Sequence, residues 1–131
     1  MSSAASEKTI SKTMLWAGWL VSVLPALMLL FSATGKFLKP TAVVEGFGHL
    51  GWPHELAFAL GVVELVCTVL YLVPQTAVLG AILVTGYLGG AIATHVRIDE
   101  GFIVQALLGV LVWLGLYLRD ARLRALIPIR S

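Results

Sequence analysis

Four long apolar segments, separated by short stretches rich in polar residues, glycine or proline, run along the chain. A helix that crosses the hydrocarbon core of a bilayer needs about 17–25 mostly apolar residues, and each segment is close to that length. The pattern therefore predicts an all-α protein, an integral membrane four-helix bundle that forms a single transmembrane domain. The predicted spans are residues 14–33, 56–73, 76–94 and 102–118.

The connections between the segments differ in length. Residues 73–75 form a tight turn between the second and third spans, and residues 95–101 form a short loop between the third and fourth. The longest connection, residues 37–55, contains glycine and proline, and it is expected to carry a short interfacial helix at about residues 40–49. A signal peptide is the weaker interpretation of the first segment, because the apolar run is long and no good cleavage site follows it.

The distribution of charge supports a membrane protein and predicts its orientation. Only 12% of the residues are charged, against about 25% in a typical soluble domain. Six Lys and Arg residues lie on the side that holds both termini and three lie on the other side, so the positive-inside rule favours cytoplasmic termini and a multi-pass protein of the inner membrane. The six are Lys8, Lys12, Arg119, Arg122, Arg124 and Arg130, and the three are Lys36, Lys39 and Arg97.

The two ends of the chain and the net charge suggest which partners to expect. Residues 1–12 are expected to be a disordered tail, and residues 119–130 a basic amphipathic segment at the cytoplasmic surface. A net charge of +2, without a basic stripe, gives no indication of nucleic-acid binding. The expected partners are the lipid bilayer and either another membrane protein or further copies of the chain.

Small and polar residues recur at helical spacing within the spans, which predicts the faces that pack together in lipid. In the third span Gly86 and Gly90 form a GxxxG pair, which favours tight helix packing over contact with a ligand. The stripe of the first span consists of Gly18, Ser22, Pro25, Leu29, Ser32 and Lys36, and that of the second consists of Ala57, Gly61, Glu64, Thr68 and Tyr71.

Glu64 is the most informative residue, because it lies eight residues into the second span, close to the midplane. An ionisable side chain at that depth costs a few kcal/mol unless it is paired. Since helical side chains lean toward the N-terminus, Glu64 points toward the loop side, where Lys36 and His95 end their spans. We therefore predict a polar pocket formed by Lys36, Glu64 and His95, with Tyr71 or Tyr87 at its floor.

Several alternatives for these residues stay open. The Glu64 pair is equally well interpreted as a buried ion pair that sets helix register without any ligand. A protonated Glu64 bonded to a backbone carbonyl is a third interpretation. His95, if it reaches Glu64, would form a proton-exchanging pair with it.

Motifs for metals and redox cofactors are not evident. The single cysteine, Cys67, lies in an apolar run and is interpreted as a packing residue. His49, His54 and His95 all lie outside the middle of the spans and have no metal-ligand spacing. No cofactor is therefore expected, although a quinone or another lipophile fits the predicted pocket.

The sequence resembles the DoxX-like membrane proteins over nearly the whole chain from about Leu15. The resemblance implies a four-helix membrane fold and recurrent polar positions at Lys36, Glu64, His95 and Arg97, which are the residues expected to bind a ligand. The wider superfamily includes a subunit linked to thiosulfate:quinone oxidoreduction, proteins of quinone or thiol stress responses, and assembly chaperones. The segments that carry the resemblance are residues 35–37 with Pro40, 47–53, 61–65, 80–83, 89–97 and 113–120 with Arg122, Leu123 and Pro128.

Three functions follow as hypotheses. The first is a quinone- or small-lipophile-binding accessory component of a membrane redox system, with Lys36 and His95 as donors and Glu64 exchanging a proton. The second is a non-enzymatic assembly partner or chaperone for another membrane protein. The third is a proton-coupled transporter, which ranks last because small four-span exporters carry their carboxylate in the first span. Whether the protein is an enzyme is left undecided.

Overall fold

The computed structural model describes residues 2–126, with side chains from residue 12 onward, and the regular structure of this part is helical throughout. Two 3-10 turns, His54–Leu56 and Pro74–Thr76, precede the second and third long helices. The α-helices are α1 (Ser2–Leu38), α2 (Thr41–Leu50), α3 (Ala57–Leu72), α4 (Ala77–Arg97), α5 (Ile103–Arg119) and α6 (Ala121–Arg124).

The four longest helices pack side by side. α1 contacts α3 and α5, and α4 contacts the same two helices, so that the cyclic order is α1, α3, α4, α5. Among the residues that the structure describes, three helical segments are long and apolar enough to cross a membrane, namely Lys12–Leu38, His54–Leu72 and Pro74–Arg97. The fourth, Ile103–Arg119, has 17 residues and is shorter. At about 1.5 Å per residue it is slightly shorter than a hydrocarbon core of about 30 Å, so four complete spans stay a prediction, as does the side on which the termini lie.

The helix bundle has two ends, which differ in the short elements that they carry. The α2 end carries α2, the C-terminus of α4 and the N-terminus of α5, whereas the α6 end carries the Pro74–Thr76 turn, the C-terminus of α5 and α6. Large apolar side chains such as Trp16, Phe31 and Val110 are exposed between the two ends. Such a surface is expected of helices surrounded by lipid rather than by water.

The helix boundaries confirm some expectations and differ from others. α2 corresponds to the short helix expected at residues 40–49. α1 begins at Ser2, inside the segment expected to be a disordered tail. Alanine, glutamate and lysine in this segment are good helix formers, and adding turns to an existing helix avoids the cost of nucleation. Residues 127–130 of the expected basic segment lie outside the described part of the chain.

The predicted packing stripes of the first two spans are confirmed. All five stripe residues of α3 are buried, and Cys67 is buried beside them. Along α1 the residues Gly18, Ser22, Pro25 and Leu29 are buried, and Ser32 and Lys36 are partly buried. Both helices therefore turn their small and polar residues toward the inside, as helix packing in lipid requires.

Four glycines permit the closest approaches between helices. A Cβ atom at Gly80 would collide with the backbone of Tyr71, and one at Gly115 would lie 2.8 Å from the backbone nitrogen of Ser22. At Gly18 a Cβ would lie 2.7 Å from the backbone nitrogen of Arg119. The fourth, Gly61, faces α1 near Lys36. Real Cβ atoms essentially never lie closer than 3.0 Å to such atoms, so a side chain at Gly18, Gly80 or Gly115 would force the helices apart. At Gly61 the contacts are side-chain atoms at 3.0 and 3.1 Å, so an added Cβ would require them to shift slightly.

The GxxxG pair of α4, Gly86 and Gly90, packs against no other helix in the described part of the chain, so the tight packing expected of these glycines is not found within the bundle. Both glycines are exposed, and a Cβ at either position would meet no atom within 4 Å. The physical reason is the orientation of α4, which turns Ala77, Gly80, Ala81, Val84 and Leu88 inward. Gly86 and Gly90 consequently face outward.

We expect Gly80→Val to destabilise the protein by about 1–3 kcal/mol or more, because the added atoms meet the backbone of α3. Gly86→Val is the matched control on the same helix and should leave the stability nearly unchanged. Thermal unfolding of both variants in mild detergent, followed by circular dichroism, measures the difference. Equal losses in the two variants would contradict this description of α4.

Candidate functional site

The polar site in the middle of the protein begins with the close approach of α1 and α3. Gly61 faces α1, where a Cβ at this position would lie 3.1 Å from the Cβ of Lys36 and 3.0 Å from the ring of Phe37. Phe37 in turn makes an edge contact with Phe58, with 5.4 Å between ring centroids. Because α3 has no side chain at Gly61, the Lys36 chain can lie flat against it and reach the next turn.

Lys36 and Glu64 form a buried ion pair. The Nζ atom of Lys36 lies 2.9 Å from Oε1 of Glu64 and donates a second hydrogen bond, of 2.7 Å, to the Ser32 hydroxyl. The exposed fraction of the side chain is 14% for Lys36 and 3% for Glu64. The pair expected between these residues is therefore present, and it provides the cation that a carboxylate needs at this depth.

Tyr87 of α4 and Cys67 of α3 are the neighbours of the ion pair. The Lys36 ammonium lies 5.9 Å from the centroid of the Tyr87 ring, within the range of a cation–π interaction. Cys67 is buried on α3, three residues after Glu64. Of the two tyrosines expected at the floor of the site, Tyr87 is beside the pair, whereas Tyr71 belongs to a different cluster.

His95 does not join Lys36 and Glu64. It lies eight residues beyond Tyr87 on α4, which is about 12 Å along the helix axis. Its Nδ1 lies 2.7 Å from the Ala91 carbonyl oxygen, and because a carbonyl can only accept, Nδ1 carries the proton. In the neutral ring Nε2 is then an acceptor, and it lies 3.5 Å from the Gln105 amide nitrogen. The expected contact between His95 and Glu64 is absent because α4 continues past residue 94 and carries His95 toward α5.

Arg97 is likewise separate from the ion pair. Its guanidinium donates to the Leu50 carbonyl at the end of α2 and covers Gly51, whose φ of 82° is in the left-handed region that favours glycine. Nearby, Trp52 donates to Thr94 over 3.3 Å, which adds a second link between the α2 segment and α4. Arg97 thus holds α2 against the bundle. The residues expected to form one ligand site, Lys36, Glu64, His95 and Arg97, are distributed over three places.

A second polar cluster, at the α6 end, was not predicted from the sequence. Tyr71 is fully buried, and its hydroxyl lies 2.7 Å from the Val112 carbonyl and 3.0 Å from the Ser22 hydroxyl. Arg119 donates from Nε to Ser22 and from Nη2 to the Tyr71 carbonyl. Ser22 and Tyr71 both lie on the predicted packing stripes, so the sequence did indicate that these two side chains face inward. Arg119 was counted only as a surface charge.

A groove with a volume of about 580 Å³ lies between α4 and α5. Its walls are mostly apolar, and Gly89 and Gly109 leave room within it. Trp113 lines it further along and donates to the Thr85 hydroxyl over 2.6 Å. At the α2 end Gln105 lines the groove, and its Oε1 atom is buried without a hydrogen-bond partner among the described residues. An unpaired buried carbonyl of this kind costs about 1–3 kcal/mol, so it marks a position where a donor group would bind well.

Comparison with known families identifies the chain. A family model described as the DoxX-like family matches residues 20–116. The chain belongs to the DoxX-like family. No curated protein and no solved structure matches it. The resemblance inferred from the sequence motifs is thereby confirmed, and membership of the DoxX-like family together with the three membrane-capable helices makes this a helical membrane protein.

Within this DoxX-like protein, the matched region contains the ion pair, His95, Arg97 and all of the α4–α5 groove lining except Tyr117. The ion pair is closed on itself, since each charged group has its partner and little contact with solvent. The groove, by contrast, is open, and one end is lined by Gln105, whose buried Oε1 has no hydrogen-bond partner among the described residues. The two regions therefore differ in what they offer a ligand.

The ion pair should behave as a unit when it is mutated. We expect Lys36→Met to reduce the free energy of unfolding by about 3–5 kcal/mol, because it leaves the Glu64 carboxylate buried without a counter-charge. The double variant Lys36→Met with Glu64→Leu should recover most of that loss, because neither charge remains. Unfolding in mixed detergent micelles measures both, with Lys12→Met, an exposed lysine outside the site, as the control. Strictly additive losses would show that the two residues do not interact.

Proposed function

We propose that this DoxX-like protein binds a small lipophile of the quinone and quinol class in the groove between α4 and α5, as an accessory component of a membrane redox system. The single observation that carries the proposal is the groove itself, about 580 Å³ in volume and mostly apolar. Gln105 lines one end of it, and its carbonyl has no hydrogen-bond partner in the described part of the chain. Small-molecule sites typically have volumes of about 300–1,000 Å³ and combine apolar walls with a few placed polar groups.

The chemistry of the walls supports a ring with hydroxyl groups. Gly89 on α4 and Gly109 on α5 flatten the walls, as a planar ring requires. Gln105 Oε1 is an acceptor, which a quinol hydroxyl satisfies. The Gln105 amide and His95 form a chain of hydrogen bonds behind it that ends at the Ala91 carbonyl. Of the residues expected to bind a ligand, His95 is therefore the one that takes part, through Gln105.

The ion pair has a different role in this proposal. Lys36 and Glu64 do not line the groove, and their pairing keeps both charges stable inside the membrane. We assign them to the register between α1 and α3 rather than to ligand contact. Proton-coupled transport receives less support, because it needs a carboxylate that is reached from both sides in turn, and Glu64 is only 3% exposed.

A substitution that fills the groove with a side chain tests whether the groove binds a quinone or quinol. Gly89→Leu places a side chain in the groove, where no atom lies within 4 Å of the new Cβ, and it should remove most of the bound quinone or quinol. Gly86→Leu, one turn earlier and outside the groove, should retain it. Mass spectrometry of lipids that co-purify in mild detergent measures the ratio of quinone to protein.

Two further variants distinguish the contribution of Gln105 to ligand binding from that of Glu64. Gln105→Leu should lower the affinity for an added short-chain quinol by about tenfold, since a hydrogen bond contributes about 1 kcal/mol, and more when the quinol hydroxyl is left buried without an acceptor. Glu64→Gln should leave that affinity unchanged. If only phospholipid co-purifies, and in equal amounts from all variants, the groove holds ordinary acyl chains and the proposal fails.

The open glycines of α4 support a second function, association with another membrane chain. Gly86 and Gly90 present a GxxxG surface that no part of the described chain covers, and such surfaces allow two helices to approach closely in lipid. This fits the hypothesis of an assembly partner or of a homo-oligomer.

Association predicts that Gly90→Leu reduces the mass of the purified complex, measured by light scattering in mild detergent. Gly46→Leu, at another open glycine on α2, should leave the mass unchanged. A wild-type protein that is already monomeric in detergent and in nanodiscs would exclude self-association through this face.

A further inference from the structure

The α6 end contains a second cavity, of about 280 Å³, that plays no part in the proposed function. α1 contributes Trp19 to its lining, the turn before α4 contributes Pro74, and the C-terminal segment contributes Arg119 and Arg122. The cavity is more polar than the α4–α5 groove and lies where the apolar part of the bundle ends.

Arg119 is the central group of this cavity, and its charge is not balanced by a carboxylate. Its Nε atom donates to the Ser22 hydroxyl over 3.1 Å and its Nη2 atom to the Tyr71 carbonyl over 2.7 Å. Both acceptors are neutral. Among the described residues no carboxylate lies within salt-bridge distance of Arg119, although the side chain is partly buried.

Aromatic rings fix the position of this guanidinium. Its central carbon lies 4.2 Å from the Trp19 ring centroid and 4.7 Å from that of Tyr71. With two nitrogens occupied and both ring contacts in place, the group is held in one orientation. The Nη1 atom has no acceptor among the described residues, so it is free to bind an anion.

Arg122 adds a second positive charge to the cavity, and Asp120 adds one negative charge. The Asp120 carboxylate lines the cavity, but Oδ1 accepts from the backbone nitrogens of Arg122 and Leu123 over 2.9 and 3.2 Å, so it caps the short helix α6. Two guanidinium groups and one carboxylate leave a net positive cavity. Arg124, in contrast, points to the Tyr117 and Leu118 carbonyls and does not line it.

We propose that this cavity binds the phosphate diester of an anionic membrane phospholipid. A guanidinium group matches the spacing of phosphate oxygens, and basic pockets at helix ends bind anionic headgroups in this way. Leu15 and Leu116 complete the lining with apolar surface, which suits the glycerol and the first carbons of the acyl chains. This surface favours a lipid over free phosphate, which shares the anionic oxygens but has no apolar part.

The test compares lipids that differ in headgroup charge. Full-length protein is titrated in mild detergent with phosphatidylglycerol, with phosphatidylcholine of the same chain length and with inorganic phosphate, and bound molecules are counted by native mass spectrometry. We expect one phosphatidylglycerol to bind at least about fivefold more tightly than phosphatidylcholine, since a lysine or arginine near an anionic headgroup contributes about 1 kcal/mol.

Variants separate this cavity from general attraction to a basic surface. Arg122→Gln should weaken phosphatidylglycerol binding by about fivefold, and it should not affect folding because the side chain is exposed. Lys12→Gln removes the same charge from an exposed position outside the cavity and should change binding less than about twofold.

Three results would overturn the proposal. Equal binding of the two lipids would show that the net negative charge of the headgroup is not recognised. Equal losses in Arg122→Gln and Lys12→Gln would show diffuse attraction rather than a site. Competition by inorganic phosphate at the lipid's own concentration would identify a small-anion site instead of a lipid site.

Discussion

The close approach of helices at four glycines is the constraint on which the rest of this protein depends. At Gly18, Gly80 and Gly115 a single added carbon would collide with a neighbouring helix. At Gly61 it would lie in tight contact with the Lys36 and Phe37 side chains of α1. These contacts bring α1 against α3 and α5, and α3 against α4. Without them the polar side chains of one helix could not reach those of the next, and each would be left unpaired in hydrocarbon, at a cost of several kcal/mol per group.

The polar groups that these approaches bring together form separate clusters at different depths. Lys36, Glu64 and Tyr87 lie near the middle, and Ser22, Tyr71 and Arg119 lie toward the α6 end. His95 and Gln105 form a third cluster at the α2 end. The first is closed on itself. The other two each retain an unused group, an acceptor on Gln105 and a donor on Arg119, and these are where we place the ligands.

Residue type and spacing predicted part of the candidate site correctly. The position of Glu64 on a small-residue stripe, its depth and the cation at the end of the first span were enough to predict the Lys36–Glu64 pair. The same reasoning predicted that His95 also contacts Glu64, and the structure does not show this contact. The long side chain of Lys36 reaches back along α1 to Glu64, whereas His95 is short and lies about 12 Å beyond that level on α4. Arg97 was assigned to the site by family resemblance, but it binds the end of α2.

The sequence by itself determined that this is a helical membrane protein of the DoxX-like family, which faces of α1 and α3 are buried, and that Glu64 needs a cation. Those features depend on the apolar content and on the periodicity of one helix at a time. Only the tertiary structure decided that Gly86 and Gly90 face outward, that Arg119 turns inward to Ser22 and Tyr71, and that α4 and α5 leave a groove beside Gln105. These features depend on the rotation of each helix about its axis relative to its neighbours. That rotation follows from contacts between residues far apart in the chain, which no local pattern encodes.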